Sequence, residues 1–199
     1  MPARPAPPRS LPFTGDDESD RLLAEDPFAL LVGFALDQQV PVQKAFRAPL
    51  LLRQRLGTLD PAAIAARPAG EIARAFAGPP ALHRFPQMMA RRVAALAAAV
   101  SHDYGGDAAA LWRGAADGRE LAARLRALPG FGPMKVAVVI ALLGRQFGVR
   151  PRGWEQEVPG HPTLGEVTTP EELLAYQAGK RQAKATRRQA GPAGGAADS

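Results

Sequence analysis

The sequence predicts an all-α protein, and three observations carry that expectation. Asp, Thr and Pro recur where helices would start, and Gly where they would stop. No segment alternates apolar and polar residues for long, and β-branched residues are sparse outside Val136 to Ile140, so strands are not needed. The apolar fraction is 46% with only 6% aromatic, which makes a core of Leu, Val, Ile and Ala on helices. At 199 residues there is enough chain for one sizeable core, or for two small lobes sharing an interface.

Residues 1–10, "MPARPAPPRS", are Pro-rich and basic with nothing to bury, and are expected to be a disordered lead. Order is expected from Leu11. "TGDDESDRLLAED" offers a short helix with an acidic first turn. "DPFALLVGFALDQQ" follows with Asp26 at the N-cap and Pro27 at the first helical position. "VPVQKAFRAPLLLRQRLG" starts at Pro41 and ends at Gly57, and Pro49 is expected to kink or divide it. Asp60 with Pro61, and then Pro68, open two further short helices. "FPQMMARRVAALAAAVSHDYGG" is the clearest amphipathic helix, from Pro86 to just before Gly105. Asp107 and Asp117 cap the next two. After Gly148 a Gly- and Pro-rich loop leads to a last helix capped by Thr168 or Thr169, with Pro170 at its start. That helix carries Lys180, Arg181, Lys184, Arg187 and Arg188 at its far end. Residues 189–199 are expected to be a flexible tail.

The formal charge of +6 favours a polyanionic partner, of which nucleic acid is the commonest. With no cysteine there is no disulfide, no Cys-held zinc and no Cys-held iron-sulfur cluster. His83, His102 and His161 show no metal-ligand spacing, so no metal site is expected. The longest apolar run, Val136 to Leu143, is too short to span a bilayer, and no signal-peptide pattern opens the chain; a cytoplasmic protein with no membrane partner is the expectation.

The stretch most suited to a function is "LRALPGFGPMKVAVVIALLG". Gly130 and Gly132 flank Phe131 in a turn between two helices, where a Cβ would obstruct the backbone. Free N–H groups at the start of the second helix, its dipole and Lys135 in its first turn make a site for a phosphate.

This stretch resembles the hairpin of the helix-hairpin-helix (HhH-GPD) superfamily of base-excision DNA repair glycosylases. The motif stands here as Leu128-Pro129-Gly130-Phe131-Gly132 followed by "PMKVAVVIALL". "FALLVGFALDQQVPVQKAF" is similar to the family's early helix pair with Gln38-Gln39 at the junction. The likeness spans roughly Asp26 to Val149 and looks most like an actinobacterial-type subgroup with "DQQVP", "LPGFG" and "GVRPxGW". It implies a two-lobed helical fold over residues 11–188. A helical barrel would run from about 33 to 143, and a second lobe would form from about 11–32 and 149–188. It also implies a monomeric repair protein on damaged double-stranded DNA, cytoplasmic and near the nucleoid, that flips a base into a cleft and removes it as an N-glycosylase. Hydrolysis of the glycosidic bond needs no cofactor.

The chain departs from the family at the chemistry. Counted without gaps, the lysine position of bifunctional members falls on Met134 and the catalytic aspartate position on Arg152. Lys135, one place on, is rotated by about 100° on a helix. It serves either as a phosphate-binding charge, the role favoured by that register, or as an amine nucleophile. Glu155 and Glu157 are the candidate carboxylates, or else solvated surface. Gln38 and Gln39 either meet base edges and fill the gap of an extruded nucleotide, or simply end a helix. Trp154 either caps the lobe interface or stacks on a base. Arg152 in place of the acid favours an alternative, a non-catalytic DNA-binding module that has lost its aspartate. A helical interaction protein with an incidental basic tail is the third reading.

Overall fold

A computed structural model describes residues 7–189. It is all helical: among the described residues there is no strand, only an isolated bridge between Asp117 and Arg152. Residues 1–6 of the lead expected over 1–10, and 190–199 of the tail expected over 189–199, lie outside the described residues; Gln189 ends the last helix, and Leu11, where order was expected to begin, is fully buried.

Ten α-helices follow one another: α1 (Asp17–Glu25), α2 (Pro27–Leu36), α3 (Val42–Leu56), α4 (Pro61–Ala65), α5 (Ala69–Ala77), α6 (Pro86–Tyr104), α7 (Ala110–Arg113), α8 (Gly118–Arg126), α9 (Pro133–Arg145) and α10 (Pro170–Gln189). Two 3-10 turns, Trp154–Glu157 and Leu164–Glu166, lie between α9 and α10. The Asp26, Asp60 and Asp117 caps read from the sequence are in place, whereas Asp107, expected to cap α7, stands two residues before its N-cap Ala109 and accepts from the Ala109 N–H. Asp26 accepts from Phe28 and Ala29, Asp60 from Ala63, and Asp117 from Glu120; each takes up N–H groups the helix cannot satisfy itself. Thr169 Oγ1 accepts from the Glu172 N–H at 3.2 Å and starts α10. Pro49 does not divide α3, which runs unbroken through it. Pro49 is buried and gives up only one backbone bond, and packing of the surrounding apolar face outweighs that loss.

The apolar α2 is buried on every side and forms the centre of the fold, with nine of its ten residues inaccessible. Its Gly33 lets α3 close in: a Cβ there would come 2.5 Å from the Phe46 ring. Phe46 in turn meets Phe13 and Phe34 edge-on, each at 5.0 Å between centroids. Each such pair contributes about 0.5–1.5 kcal/mol beyond its buried area. On the other side α9 packs against the second 3-10 turn through Gly165 and against Trp154 through Gly144, where a Cβ would collide with the indole at 2.2 Å. The buried side chains make one cluster from Leu11 to Leu173, so the segments expected to form the barrel and the second lobe share a core. No helix among the described residues is long and apolar enough to cross a membrane.

Candidate nucleic-acid interface and amine site

The hairpin between α8 and α9 is held from below by its own apolar residues. Leu128 and Phe131 are both buried, and the Phe131 N–H donates to the Leu128 carbonyl at 3.2 Å. Gly130 has φ +86, and a Cβ on it would lie 2.6 Å from Arg92 Cδ, so α6 brings an arginine directly against the turn. Gly132 differs from expectation. Its φ of −76 and ψ of 170 suit any residue, and a Cβ there would meet nothing within 4 Å. The chain itself needs glycine only at Gly130, because the turn reverses there, whereas Gly132 is already extended backbone leading into α9. The N–H groups of Gly132, Met134 and Lys135 have no partner among the described residues at the N-terminus of α9, an arrangement that favours an anion.

The two glycines should therefore separate in experiment. Gly132→Ala should leave thermal stability unchanged or raised by about 0.4–1 kcal/mol, yet weaken DNA binding if a phosphate approaches that face. Gly130→Val should destabilise by about 1–3 kcal/mol through its left-handed backbone. Melting curves beside fluorescence anisotropy on a duplex check both; equal loss of stability in the two variants would contradict this assignment.

Met134, which the gap-free register places at the nucleophile's position, is 64% exposed. Lys135 turns inward instead. Its Nζ donates to the Ala35 carbonyl at 3.4 Å and stands 5.6 Å from the Phe131 ring centroid. Burial lowers its pKa to about 8, against the pull of the Asp37 carboxylate upward and with the push of Arg92 downward. The helix supplies the rotation that separates these neighbours.

Asp37 is the residue the sequence reading missed. It ends α2 at its C-cap, half-buried, and its carboxylate makes no hydrogen bond and no direct ion pair among the described residues. Burial raises its pKa; the charges of Lys180 and then Lys135 oppose that rise. The carboxylate and the Lys135 amine thus feel each other without touching. A signal for it was present: an acid closing an otherwise apolar helix stands at the negative end of the helix dipole, an unfavourable place that stability does not explain.

Gln38 and Gln39 lie beside it in the turn to α3. Gln39 is exposed with φ 56, an uncommon conformation for a residue with a side chain, and neither amide has a hydrogen-bond partner among the described residues. The Gln38 backbone is held by His83, which is fully buried. The Phe85 N–H donates to His83 Nδ1 at 3.1 Å, so Nε2 carries the hydrogen and donates to the Gln38 carbonyl at 3.1 Å. Burial lowers the His83 pKa, which keeps this neutral form in place. The junction is a turn held by His83, with Gln39 in a left-handed conformation and two amides without partners among the described residues.

Glu155 and Glu157 are not brought to this site. Their 3-10 turn packs through Trp154 onto Gly144, near the far end of α9, about 13–14 Å along the helix from Lys135. Glu157 faces Arg126 at 4.0 Å. Trp154 itself is only 9% exposed, wedged between Gly118 and Gly144, and has no face left for a base. Arg152 lends its backbone to the bridge with Asp117, its carbonyl accepting from the Gly118 N–H at 2.9 Å. The loop after α9 therefore keeps Glu155 and Glu157 apart from the Lys135 amine.

A hollow of about 280 Å³ between Trp112, Arg113, Phe147 and Arg150 lies away from this chemistry. Its arginines are already engaged, Arg113 with Asp107 and Arg150 with the Gly144 carbonyl. No group of three His, Asp or Glu side chains among the described residues could hold a metal ion. No family model matches the chain, no curated protein matches it and no solved structure matches it, so function has to be argued from the site.

Proposed function

We propose that the protein binds duplex DNA and removes a damaged base from it, in the manner of the helix-hairpin-helix glycosylases its hairpin resembles. One observation carries this reading: the Lys135 amine, of lowered pKa, reaches from the first turn of α9 to the Ala35 carbonyl at the end of α2 that Asp37 closes, next to hairpin N–H groups without a partner among the described residues. The hairpin and Arg92 take a backbone phosphate, and Gln38 and Gln39 occupy the place the extruded nucleotide leaves. Asp37 accepts a proton from the ammonium of Lys135 by way of a water molecule, since the two side chains do not touch. The neutral amine forms a bond to C1′ as the glycosidic bond breaks, its electron pair leaving with the base, which then takes up a proton. The carboxylate sought in Glu155 and Glu157 is supplied by the end of α2. On this reading Lys135, favoured from the sequence as a phosphate-binding charge, takes the covalent role, since Met134 is exposed and the Lys135 amine turns inward to the Ala35 carbonyl.

The test is a panel of duplexes carrying uracil, hypoxanthine, 8-oxoguanine, alkylated purines and an abasic site, scored for base loss with and without alkali, together with the salt dependence of binding. Base loss from at least one lesion and strand cleavage without alkali are expected. A slope of log K against log salt of about −0.9 per phosphate contacted should accompany them. Salt-dependent binding without base loss on any substrate would establish the non-catalytic module instead. A slope near zero would leave only the helical interaction protein.

A further inference from the structure

The last helix has a division of faces that the hairpin chemistry does not use. At 100° per residue, Leu173, Gln177, Lys180, Arg181 and Lys184 fall on one side of α10, while Glu172, Ala175, Gly179, Gln182 and Ala183 lie opposite. The root of that side is docked on the protein. Leu173 is buried, and Gln177 and Gln43 of α3 exchange amide hydrogen bonds at 2.9 and 3.2 Å across 134 residues of sequence. Further along, Arg181 and Lys184 are exposed on the same side, past the edge of the core. Lys180, one turn beyond Gln177, is the cation whose charge acts most on Asp37. The docking side therefore continues as an exposed basic stripe beyond the first turn of α3, which the Gln38–Gln39 turn joins to Asp37.

We propose that α10 is a second DNA-backbone arm, its root fixed on α3 by the Gln43–Gln177 pair so that Lys180, Arg181 and Lys184 track phosphates leading away from the Asp37 and Lys135 site. The inference rests on the DNA-binding reading above and assigns its second contact surface. A stripe on the docking side faces whatever lies along the body, whereas charges that served only solubility would have no reason to avoid the opposite side. About 10 Å separates Gln177 from Lys184 along the axis, room for more than one phosphate of a duplex strand.

The test uses the full chain and an undamaged duplex. Lys180→Gln with Arg181→Gln and Lys184→Gln should reduce the salt slope by about 2–3, at 0.9 per phosphate. A control of the same charge change on α1, α5 and α8, Arg21→Gln with Arg74→Gln and Arg119→Gln, should reduce it by less than about 1. Gln43→Leu with Gln177→Leu, which leaves every charge in place, should weaken binding several-fold. Circular dichroism shows that each variant is folded. If the parent binds with a steep slope and the α10 variant matches it, or the control loses as much, the arm is refuted and the DNA reading stands. If the parent itself shows no salt-dependent binding, the DNA reading fails and the arm with it.

Discussion

Incubation of the protein with an abasic duplex and borohydride should give a stable covalent adduct, and both Lys135→Gln and Lys135→Arg should lose it. The expectation follows from the state of the amine. With a pKa of about 8, roughly a fifth of Lys135 is neutral at pH 7.4, against about 0.1% of an ordinary lysine, a difference of about two hundredfold in the reactive form. Lys44, Lys180 and Lys184 are the only other lysines of the chain and provide an internal comparison. Brief reductive methylation at neutral pH should modify Lys135 first, and its rate should rise with a midpoint near pH 8. Lys135→Arg should keep DNA affinity within a few-fold, since the positive charge at the hairpin remains, while base removal falls on the order of a thousandfold or more. An arginine variant that still removes the base, with no adduct trapped on the parent, would return Lys135 to the role of a phosphate-binding charge.

The helices were legible because their signals are local. Asp26, Asp60 and Asp117 each cap a helix through an N–H two or three residues away, and such pairs are written in neighbouring positions. The hairpin was legible for the same reason, down to the left-handed Gly130, although Gly132 shows that two glycines in one motif need not share a cause. What the sequence concealed is the company each residue keeps across the fold. Lys135 reaches the Ala35 carbonyl over 100 positions, and counting along α9 could not reveal that Met134 points out and Lys135 in. The same limit put the search for an acid in the loop carrying Glu155 and Glu157, which the fold turns to the other end of α9. Trp154 decides that placement by filling the space over Gly144. Only Asp37 left a local trace, as a charge at the wrong end of a buried helix.

Asp37→Asn should cut base removal by orders of magnitude without destabilising the protein, and the two halves of that result have one cause. Burial raises the Asp37 pKa above 3.8 even with Lys180 and Lys135 pulling it down, so the ionised carboxylate is less favourable in the folded protein than in the unfolded chain. Between 3.8 and its raised value the folded protein retains a proton that the unfolded chain has released. Stability accordingly falls as pH rises through that window, and the deficit persists at neutral pH. Asparagine is neutral throughout and escapes the deficit, so the variant should unfold at an equal or higher denaturant concentration at pH 7. The advantage should vanish on acidification below the window, where the parent's Asp37 is protonated in both states. Activity should move the opposite way, down by about 10²–10⁴, the usual effect of removing a group that carries a proton in the reaction. The loss of the carboxylate should also displace the Lys135 methylation midpoint below pH 8, because Asp37 is the charge that favours the ammonium form. A variant less stable than the parent at pH 7 with its base removal intact would make Asp37 a structural residue, and would take from Lys135 the partner on which its chemistry depends.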